Sequence, residues 1–338
     1  MSQSREGRMI LRARVVVTMA GRPLENGAVA ISGDQIVDVG RFKDLRARNS
    51  GEIVDLGERA LLPGLINAHC HLDYTCLRGK VPRQKSFADW IRAINAEKAK
   101  LAPEDYVASI NNGFTEVKRF GTTTAVNLTA FPQLVPQISS PIRTWWFGEL
   151  INVRGTADAD LAAKFLRSAE HWGLAPHAPF TASAGLYRRC ERLASLLTTH
   201  IAESHEEMSM FRDASGPLYD FLKELGRDMS DCGGKTPLAC FLTLGDSSTP
   251  RGVPKEWMVV HLNELTDSDF NLLEKSPRNF SIVHCPRSHS YFGHSPFQFG
   301  RLRSLGFNIC LGTDSLASND DLSLFAEMRA FQKEFPNV

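Results

Sequence analysis

Two histidines separated by one residue, His69 and His71, follow an uncharged apolar run over residues 62–68. Such a run is typical of a buried β-strand. Because side chains alternate in direction along a strand, both imidazoles would project to one side and Cys70 to the other. Two imidazoles at the end of a strand are half of a metal site, although an isolated pair with this spacing also occurs without a metal.

Three later apolar runs also end in a residue that can bind a metal, namely His200, His261 and Asp314. One such strand end has little meaning by itself. Four of them, in a chain whose predicted strands alternate with helices, indicate that the strand ends converge. A parallel (β/α)8 barrel, of the α/β class, gathers the carboxyl ends of its strands at one face, where the active site lies.

Composition excludes several classes of protein. The 338 residues have a formal charge of +1, which leaves no basic surface for nucleic acid. No apolar run reaches the roughly 18 residues of a membrane helix, and the first residues do not resemble a signal peptide. Seven cysteines without a C-x-x-C pair suit reduced thiols. We therefore expect a cytoplasmic protein that binds a small-molecule substrate and neither nucleic acid nor membrane.

The chain divides into two predicted parts. Residues 1–60 contain three β-rich runs that predict a small antiparallel sheet, with a hairpin at Gly33-Asp34: Met9–Thr18, Ala28–Ser32 and Gln35–Val39. From residue 61 to residue 338, strands and helices alternate as in a barrel of about 250 residues. The later strands are predicted over Thr122–Leu128, Ile142–Leu150, Gly173–Phe180 and Phe280–Cys285, besides those ending at His200, His261 and Asp314.

The converging residues have the chemistry of a hydrolytic metal site. His69, His71 and His200 offer three neutral donors and Asp314 one anion, a set that suits zinc with a position left for water. Such a site lowers the pKa of bound water from about 15.7 toward about 7. Asp314 could bind the metal and accept the proton of that water. Alternatively, Asp314 is a helix N-cap.

Glu203 lies three residues beyond His200, where it could lean over the metal and transfer a proton to a substrate nitrogen. The alternative is a surface carboxylate, because Glu206 and Glu207 follow and are expected to be solvated. His261 could be a further ligand, a donor that stabilises charge on the attacked carbon, or a core histidine.

Several other enzyme classes are excluded by missing motifs. The chain has no H-E-x-x-H, no G-x-S-x-G and no H-x-E followed by P-C-x-x-C, the patterns of zinc proteases, serine hydrolases and cytidine-deaminase zinc sites. The region from Gly173 to Cys190 contains no lysine. A carbamylated lysine there would be one way to bridge two metals, so its absence favours one.

Together these residues resemble the amidohydrolase superfamily, in particular its branch of mononuclear aminohydrolases. That branch holds guanine, cytosine, adenosine, S-adenosylhomocysteine and aminodeoxyfutalosine deaminases and the triazine chlorohydrolases. The matching blocks are residues 63–71, 175–181, 200–204, 284–288 and 311–315 with 317–319.

The resemblance implies a function and a site. One divalent metal, zinc or alternatively iron, would be held by His69, His71, His200 and Asp314, and His261 would contact it or its water. Metal-bound hydroxide would attack a ring carbon that bears an amino group, Asp314 would take the proton, Glu203 would protonate the ring nitrogen, and ammonia would leave. An amino-substituted, purine-like heterocycle or nucleoside is the expected substrate, and an aminated nucleoside such as aminodeoxyfutalosine or S-adenosylhomocysteine is favoured among these. The alternative reaction is hydrolysis of a halide or cyclic amide.

The resemblance also implies that residues 1–60 are part of a β-sandwich that C-terminal strands complete. Those strands are missing from this sequence, so the barrel is expected to be truncated at its C-terminus, and an inactive barrel is a further alternative. A homodimer is left open.

Three residues are predicted to contact the substrate. The resemblance assigns this role to His177. Trp90 follows the first barrel strand, where its ring could stack on a substrate, or it could lie on the buried face of a helix. Arg287 follows the seventh strand and could grip a carboxylate or a ribose, or it could pair with a surface acid.

Overall fold

The structure, a computed structural model, describes residues 8–153, 157–244, 256–275 and 280–338. They form two compact units, and the chain passes from the first to the second after Gly64. Residues 1–7 of the predicted N-terminal part lie outside the described residues. Within the described ranges, no helix combines the length and the apolar character needed to span a membrane.

The first unit is a five-stranded sheet with one helix. Its elements are β1 (Arg8–Val16), β2 (Leu24–Ser32), β3 (Gln35–Arg41), α1 (Phe42–Arg48), β4 (Glu52–Asp55) and β5 (Ala60–Leu61). The three predicted strands are present, but the sheet is not wholly antiparallel as predicted. β4 and β5 run parallel to β1 because α1 carries the chain across the sheet, as a parallel connection requires. The β-sandwich stays a prediction.

The second unit is the predicted (β/α)8 barrel, which is confirmed. Eight strands pair in chain order, and the pairs are parallel. The strands are β6 (Leu65–Cys70), β7 (Thr122–Thr129), β8 (Arg143–Leu150), β9 (His171–Pro176), β10 (Leu196–Ile201), β11 (Glu256–His261), β12 (Phe280–His284) and β13 (Ile309–Leu311).

Helices surround these strands. They are α2 (Phe87–Lys98), α3 (Pro103–Arg119), α4 (Ala159–Leu166), α5 (Ala184–Leu193), α6 (His205–Asp213), α7 (Pro217–Glu224), α8 (Pro237–Leu244), α9 (Asp267–Lys275), α10 (Pro286–Phe292), α11 (Phe299–Ser304) and α12 (Leu324–Glu334), with 3₁₀ turns at Leu72–Leu77 and Pro132–Gln137. Strand alternation separates two apolar layers. Phe147 packs inside the barrel with Val126 and Ala175, whereas Trp146 packs outward against Phe114.

The barrel closes between its first and last strands at the carboxyl end. Cys70 and Asp314 form a parallel bridge, and the carbonyl of His69 accepts hydrogen bonds from the backbone amides of Thr313 at 3.0 Å and Asp314 at 3.1 Å. The Asn67 side chain also donates to Thr313 Oγ1 at 2.8 Å. This junction sets Asp314 beside the His69 strand.

Gly312 permits this close approach. A Cβ at Gly312 would lie 2.8 Å from both Cβ and the carbonyl oxygen of His69, and 3.1 Å from Cys285 Sγ. These neighbours are backbone or packed core atoms, so they cannot move aside cheaply. The glycine is therefore required by contact between strands.

We expect Gly312→Ala to lower the free energy of unfolding by about 1–3 kcal/mol, because the methyl group overpacks the junction. Urea unfolding measures the change. Gly300→Ala is the matched control, because a Cβ there meets no atom of the described part of the chain within 4 Å. This control should be neutral or stabilise by up to about 1 kcal/mol, since alanine favours a helix. Equal stability of the two variants would contradict the close approach.

Candidate active site

The predicted metal ligands meet at the carboxyl ends of the strands. His69 Nε2 lies 3.4 Å from His200 Nε2. Asp314 Oδ1 lies 3.6 Å from His69 Nε2 and 3.8 Å from His71 Nε2. Donor atoms around a tetrahedral ion with bonds of 2.0–2.1 Å are about 3.3 Å apart. The spacing therefore fits one divalent cation with little rearrangement.

The histidines are prepared to act as neutral donors. Burial lowers the pKa of His200 to about 4, and it holds the pKa of His71 well below its usual value. His200 Nδ1–H donates to the carbonyl oxygen of His177 at 2.8 Å, which leaves the lone pair on Nε2. A hydrogen bond on one ring nitrogen that frees the other is the usual arrangement of a metal-binding histidine.

Asp314 is held as an anion at the junction of the barrel. Burial opposes its charge, but the neighbouring His69, His261 and His71 hold the pKa of Asp314 well below its usual value. Ser288 Oγ donates to Oδ2 at 2.7 Å, and the Ser315 amide donates to Oδ1 at 2.8 Å. No helix begins at Asp314, so the N-cap alternative does not apply.

Glu203 and His261 lie on the other side of His200 from His177, as the strand order dictates. Glu203 is 7% exposed, and its Oε1 lies 3.7 Å from His261 Nε2. Burial, followed by the charges of Asp314 and Glu207, raises the pKa of Glu203 well above its usual value. Two carboxyl groups whose pKa values move in opposite directions are suited to acid and base roles.

The turn that carries Glu203 has a strained backbone and is held by hydrogen bonds. Ala202 has φ of 51°, in the left-handed region. The Glu203 amide donates to Glu207 Oε2 at 2.8 Å, and the Asn263 side chain donates to the Glu203 carbonyl at 3.0 Å. The Ala202 carbonyl accepts from the Asn263 amide at 3.0 Å. These bonds hold the backbone of Glu203 in one position.

The expectation of a solvated side chain was wrong for Glu207, whereas Glu206 is half-buried. Glu207 is fully buried because it satisfies the backbone of the Glu203 turn. Glu206 accepts from the amides of Phe87 at 2.6 Å and Ala88 at 3.1 Å. It thereby caps the first turn of α2, a wall of the cavity described next, and joins that wall to the Glu203 loop.

A cavity of about 230 Å³ opens from these groups. Its wall is mainly apolar, and its lining includes Tyr74, Phe87, Trp90, Ile91, Ile94, Ile151, Val153, Phe180, Phe221, Leu222 and Leu225. The polar lining is His71, Glu149, His177, Thr181, His200, Glu203, His261, Asp314 and Ser315, with Asn95 and Lys98 on α2. Such a cavity suits a flat heterocycle with a few polar contacts.

Two of the three predicted substrate contacts line the cavity and the third does not. His177 and Trp90 both line the cavity, Trp90 on α2 with its ring stacked on Phe87 at 6.0 Å. Arg287 is not among the lining residues. Its guanidinium is bound by Asp321 at 2.6 Å and Asp320 at 2.9 Å, so the surface-acid alternative describes its position.

Sequence reasoning missed Glu149, which lines the cavity near the carboxyl end of β8 and is 8% exposed. Burial raises its pKa above the usual value. The signal was available: Trp145, Phe147 and Glu149 alternate along one strand, so a carboxylate follows two residues of the interior face.

In this barrel strands alternate with helices, and imidazole and carboxylate groups lie at the carboxyl ends of the strands. This arrangement is typical of a metal-dependent hydrolytic enzyme. A profile described as the amidohydrolase family matches residues 60–334, so the chain belongs to that family. The predicted class, a hydrolase that acts on carbon–nitrogen bonds, is confirmed. A second profile, an imidazolonepropionase-like composite domain of bacteria, matches residues 27–49.

The chain is similar to curated deaminases along most of its length. It is 27% identical to a 5'-deoxyadenosine deaminase of Methanothrix thermoacetophila, over 95% of this chain and 73% of the relative. It is also 27% identical to a 5-methylthioadenosine/S-adenosylhomocysteine deaminase of Nitratidesulfovibrio vulgaris, over 94% of this chain and 71% of the relative.

Solved structures share the fold. The aminofutalosine deaminase of Helicobacter pylori, in complex with methylthio-coformycin, superposes with a TM-score of 0.83 at 22% identity, over 96% of this chain and 81% of that one. An adenosine deaminase of Xanthomonas campestris with bound zinc has a TM-score of 0.72 at 24% identity, over 96% and 73%.

Glu207 makes stability depend on pH. Burial raises its pKa from 4.5 to about 8, so the folded protein keeps a proton that the unfolded chain releases between these values. The free energy of unfolding should therefore fall as pH rises through this window. Glu207→Gln has no proton to lose there and should show a smaller fall, measured by urea unfolding at about pH 5, 6.5 and 8. Parallel pH profiles of variant and wild type would contradict this prediction.

Proposed function

We propose that this protein is a metal-dependent deaminase that replaces an amino group on a purine-like ring with oxygen and releases ammonia. One observation carries the proposal. Three imidazoles, a carboxylate of lowered pKa and a carboxyl group of raised pKa converge at one end of an apolar cavity. This arrangement provides the groups that hydrolysis of an aminated ring carbon requires.

His69, His71, His200 and Asp314 would hold one divalent cation. Nitrogen and oxygen donors at this spacing suit zinc best, and iron would accept the same set. The cation, when bound, supplies a water of lowered pKa as nucleophile near neutral pH. The zinc in the Xanthomonas relative supports this choice of metal.

The chain's own residues manage the protons. Asp314 Oδ1, beside His69 and His71, accepts the proton of the attacking water and passes it to the amino group, which leaves as ammonia when its bond to the ring carbon breaks. Glu203, whose pKa burial raises well above its usual value, gives its proton to the ring nitrogen next to the aminated carbon. It regains a proton from the hydroxyl group on the attacked carbon as the carbonyl forms. His261 Nε2, beside Glu203 Oε1, stabilises the charge that develops on the ring as the carbon becomes tetrahedral.

The apolar walls orient the ring and exclude water. Phe87 and Trp90 on α2 and Phe180 after β9 line the cavity that leads to the polar groups. In a poorly solvated cavity the interactions between charged groups are stronger than in water. The same walls would favour a substrate with an apolar substituent.

Two curated relatives support the substrate class, because both are deaminases of adenine nucleosides by name. We therefore propose an aminated purine nucleoside as the substrate. We also propose a cytoplasmic location, which the seven unpaired thiols support.

Zinc-loaded protein should release ammonia from at least one member of a panel of amino-purines, amino-pyrimidines and adenine nucleosides. Glu203→Gln and Asp314→Asn should each lower kcat by at least about 100-fold, because each loses a proton-transfer group. A coupled ammonia assay measures both effects. Glu104→Gln, an exposed carboxylate on α3, is the control and should keep full activity.

Two results would reject the reaction. The first is turnover of a chlorinated triazine with no ammonia from any amino-heterocycle, which would assign another leaving group. The second is full activity in either carboxylate variant.

The metal should stabilise the folded protein. A cation present at about 100 times its Kd adds about 2.7 kcal/mol, which corresponds to a Tm higher by about 5 °C than with a chelator. His200→Ala should abolish this difference, whereas Asp34→Asn in an exposed hairpin should retain it. Equal Tm values of the wild type with metal and with chelator would contradict the ligand set.

A further inference from the structure

Glu149 occupies a position that the proposed reaction does not use. Along β8 its side chain follows Phe147 on the interior face, at the carboxyl end where the cavity opens. It is 8% exposed, and among the residues that the structure describes its Oε1 has no hydrogen-bond partner. Burying a carboxylate oxygen without a hydrogen-bond donor costs free energy. Glu149 Oε1 therefore needs a donor from a bound molecule.

The protein groups that face Glu149 do not satisfy it. His71 Nδ1 lies 3.9 Å from Oε1 and His177 Nε2 lies 4.0 Å from it, both beyond hydrogen-bond distance. Lys98 also lines the cavity, with its ammonium 4.7 Å from the centre of the Tyr74 ring.

His177 presents a second acceptor beside Glu149. Thr181 Oγ1 donates its proton to the Ala178 carbonyl at 3.3 Å, so it accepts from His177 Nδ1–H at 2.6 Å. This hydrogen bond favours the tautomer of His177 that carries its proton on Nδ1. The proton on Nδ1 therefore leaves a lone pair on Nε2, which faces the cavity.

From this geometry we propose that Glu149 Oε1 and His177 Nε2 form an acceptor subsite that binds two hydroxyl groups of the substrate's sugar. The inference rests on the proposed function, since it names the part of a nucleoside that this wall recognises. Two acceptors 4.0 Å apart suit donors on adjacent carbons, as in the cis-diol of a ribose.

The order of the strands assigns this wall to the sugar rather than to the ring. Glu149 and His177 belong to β8 and the end of β9, whereas Glu203 and His261 follow β10 and β11. His200 lies between the two groups. A heterocycle whose ring nitrogen faces Glu203 therefore directs its substituent toward Glu149 and His177.

The test compares adenosine with 2',3'-dideoxyadenosine on the zinc-loaded protein. Two hydrogen bonds from the sugar hydroxyl groups should make kcat/KM about 10- to 100-fold higher for adenosine than for 2',3'-dideoxyadenosine. In Glu149→Ala, kcat/KM for adenosine should exceed that for 2',3'-dideoxyadenosine by no more than about 3-fold, mainly because activity on adenosine is lost. Glu149→Gln keeps the size of the side chain and should narrow the ratio too, which protects the test against misfolding. Glu104→Gln should leave the ratio unchanged.

Three results would overturn the subsite. They are a wild-type ratio near one, an equal loss on both substrates in the Glu149 variants, and a metal content below that of the wild type in Glu149→Gln. The last two would assign Glu149 to the support of His71 instead. Metal content is measured by elemental analysis.

Binding separates this inference from the proposed reaction. Purine riboside has no amino group to lose, and calorimetry compares its affinity with that of the 2',3'-dideoxyriboside without turnover. A protein that releases no ammonia but prefers the riboside retains the subsite and rejects the reaction. A protein that deaminates nucleosides but binds both ligands alike retains the reaction and rejects the subsite.

Discussion

The site depends on the junction between the first and last strands of the barrel. The carbonyl of His69 accepts amide hydrogen bonds from Thr313 and Asp314, so the same residue holds the anion in place and presents its own imidazole to it. A carboxylate on a flexible loop would adopt many positions relative to the imidazoles. Here the backbone of a closed barrel sets the separation, and Gly312 is needed because any larger residue would meet the His69 backbone.

Burial gives each group around this junction its protonation state. Removal from water disfavours charge, so it lowers the pKa of the imidazoles of His71, His200 and His261 and raises the pKa of the Glu203 carboxyl group. Asp314 is the exception because His69 lies beside it and because it accepts hydrogen bonds from the Ser288 hydroxyl and the Ser315 amide. One apolar enclosure thus prepares an acid and a base a few ångströms apart.

Much of this was predictable from the sequence, for definite reasons. Alternation along a strand places His69 and His71 on one face, and convergence of parallel strand ends joins them to His200 and Asp314. Glu206 and Glu207 could not be assigned in that way, because three glutamates within five residues have the pattern of a solvated surface. Both side chains bind backbone amides, and the amides bound by Glu206 lie more than a hundred residues away in the sequence. A sequence does not show where unpaired amides lie.

The loop after β10 shows why such residues need a structure. These three glutamates lie within five residues. Glu203 faces the proposed catalytic groups, Glu207 binds the amide of Glu203, and Glu206 caps α2. The three side chains are of one type and differ only in what they reach. Because Ala202 is in a left-handed conformation, the turn directs Glu203 toward His261 and leaves its amide free for Glu207. The turn and the buried side chain therefore depend on each other: the Glu203 amide would lack an acceptor without Glu207, and Glu207 Oε2 would lack a donor without the amide.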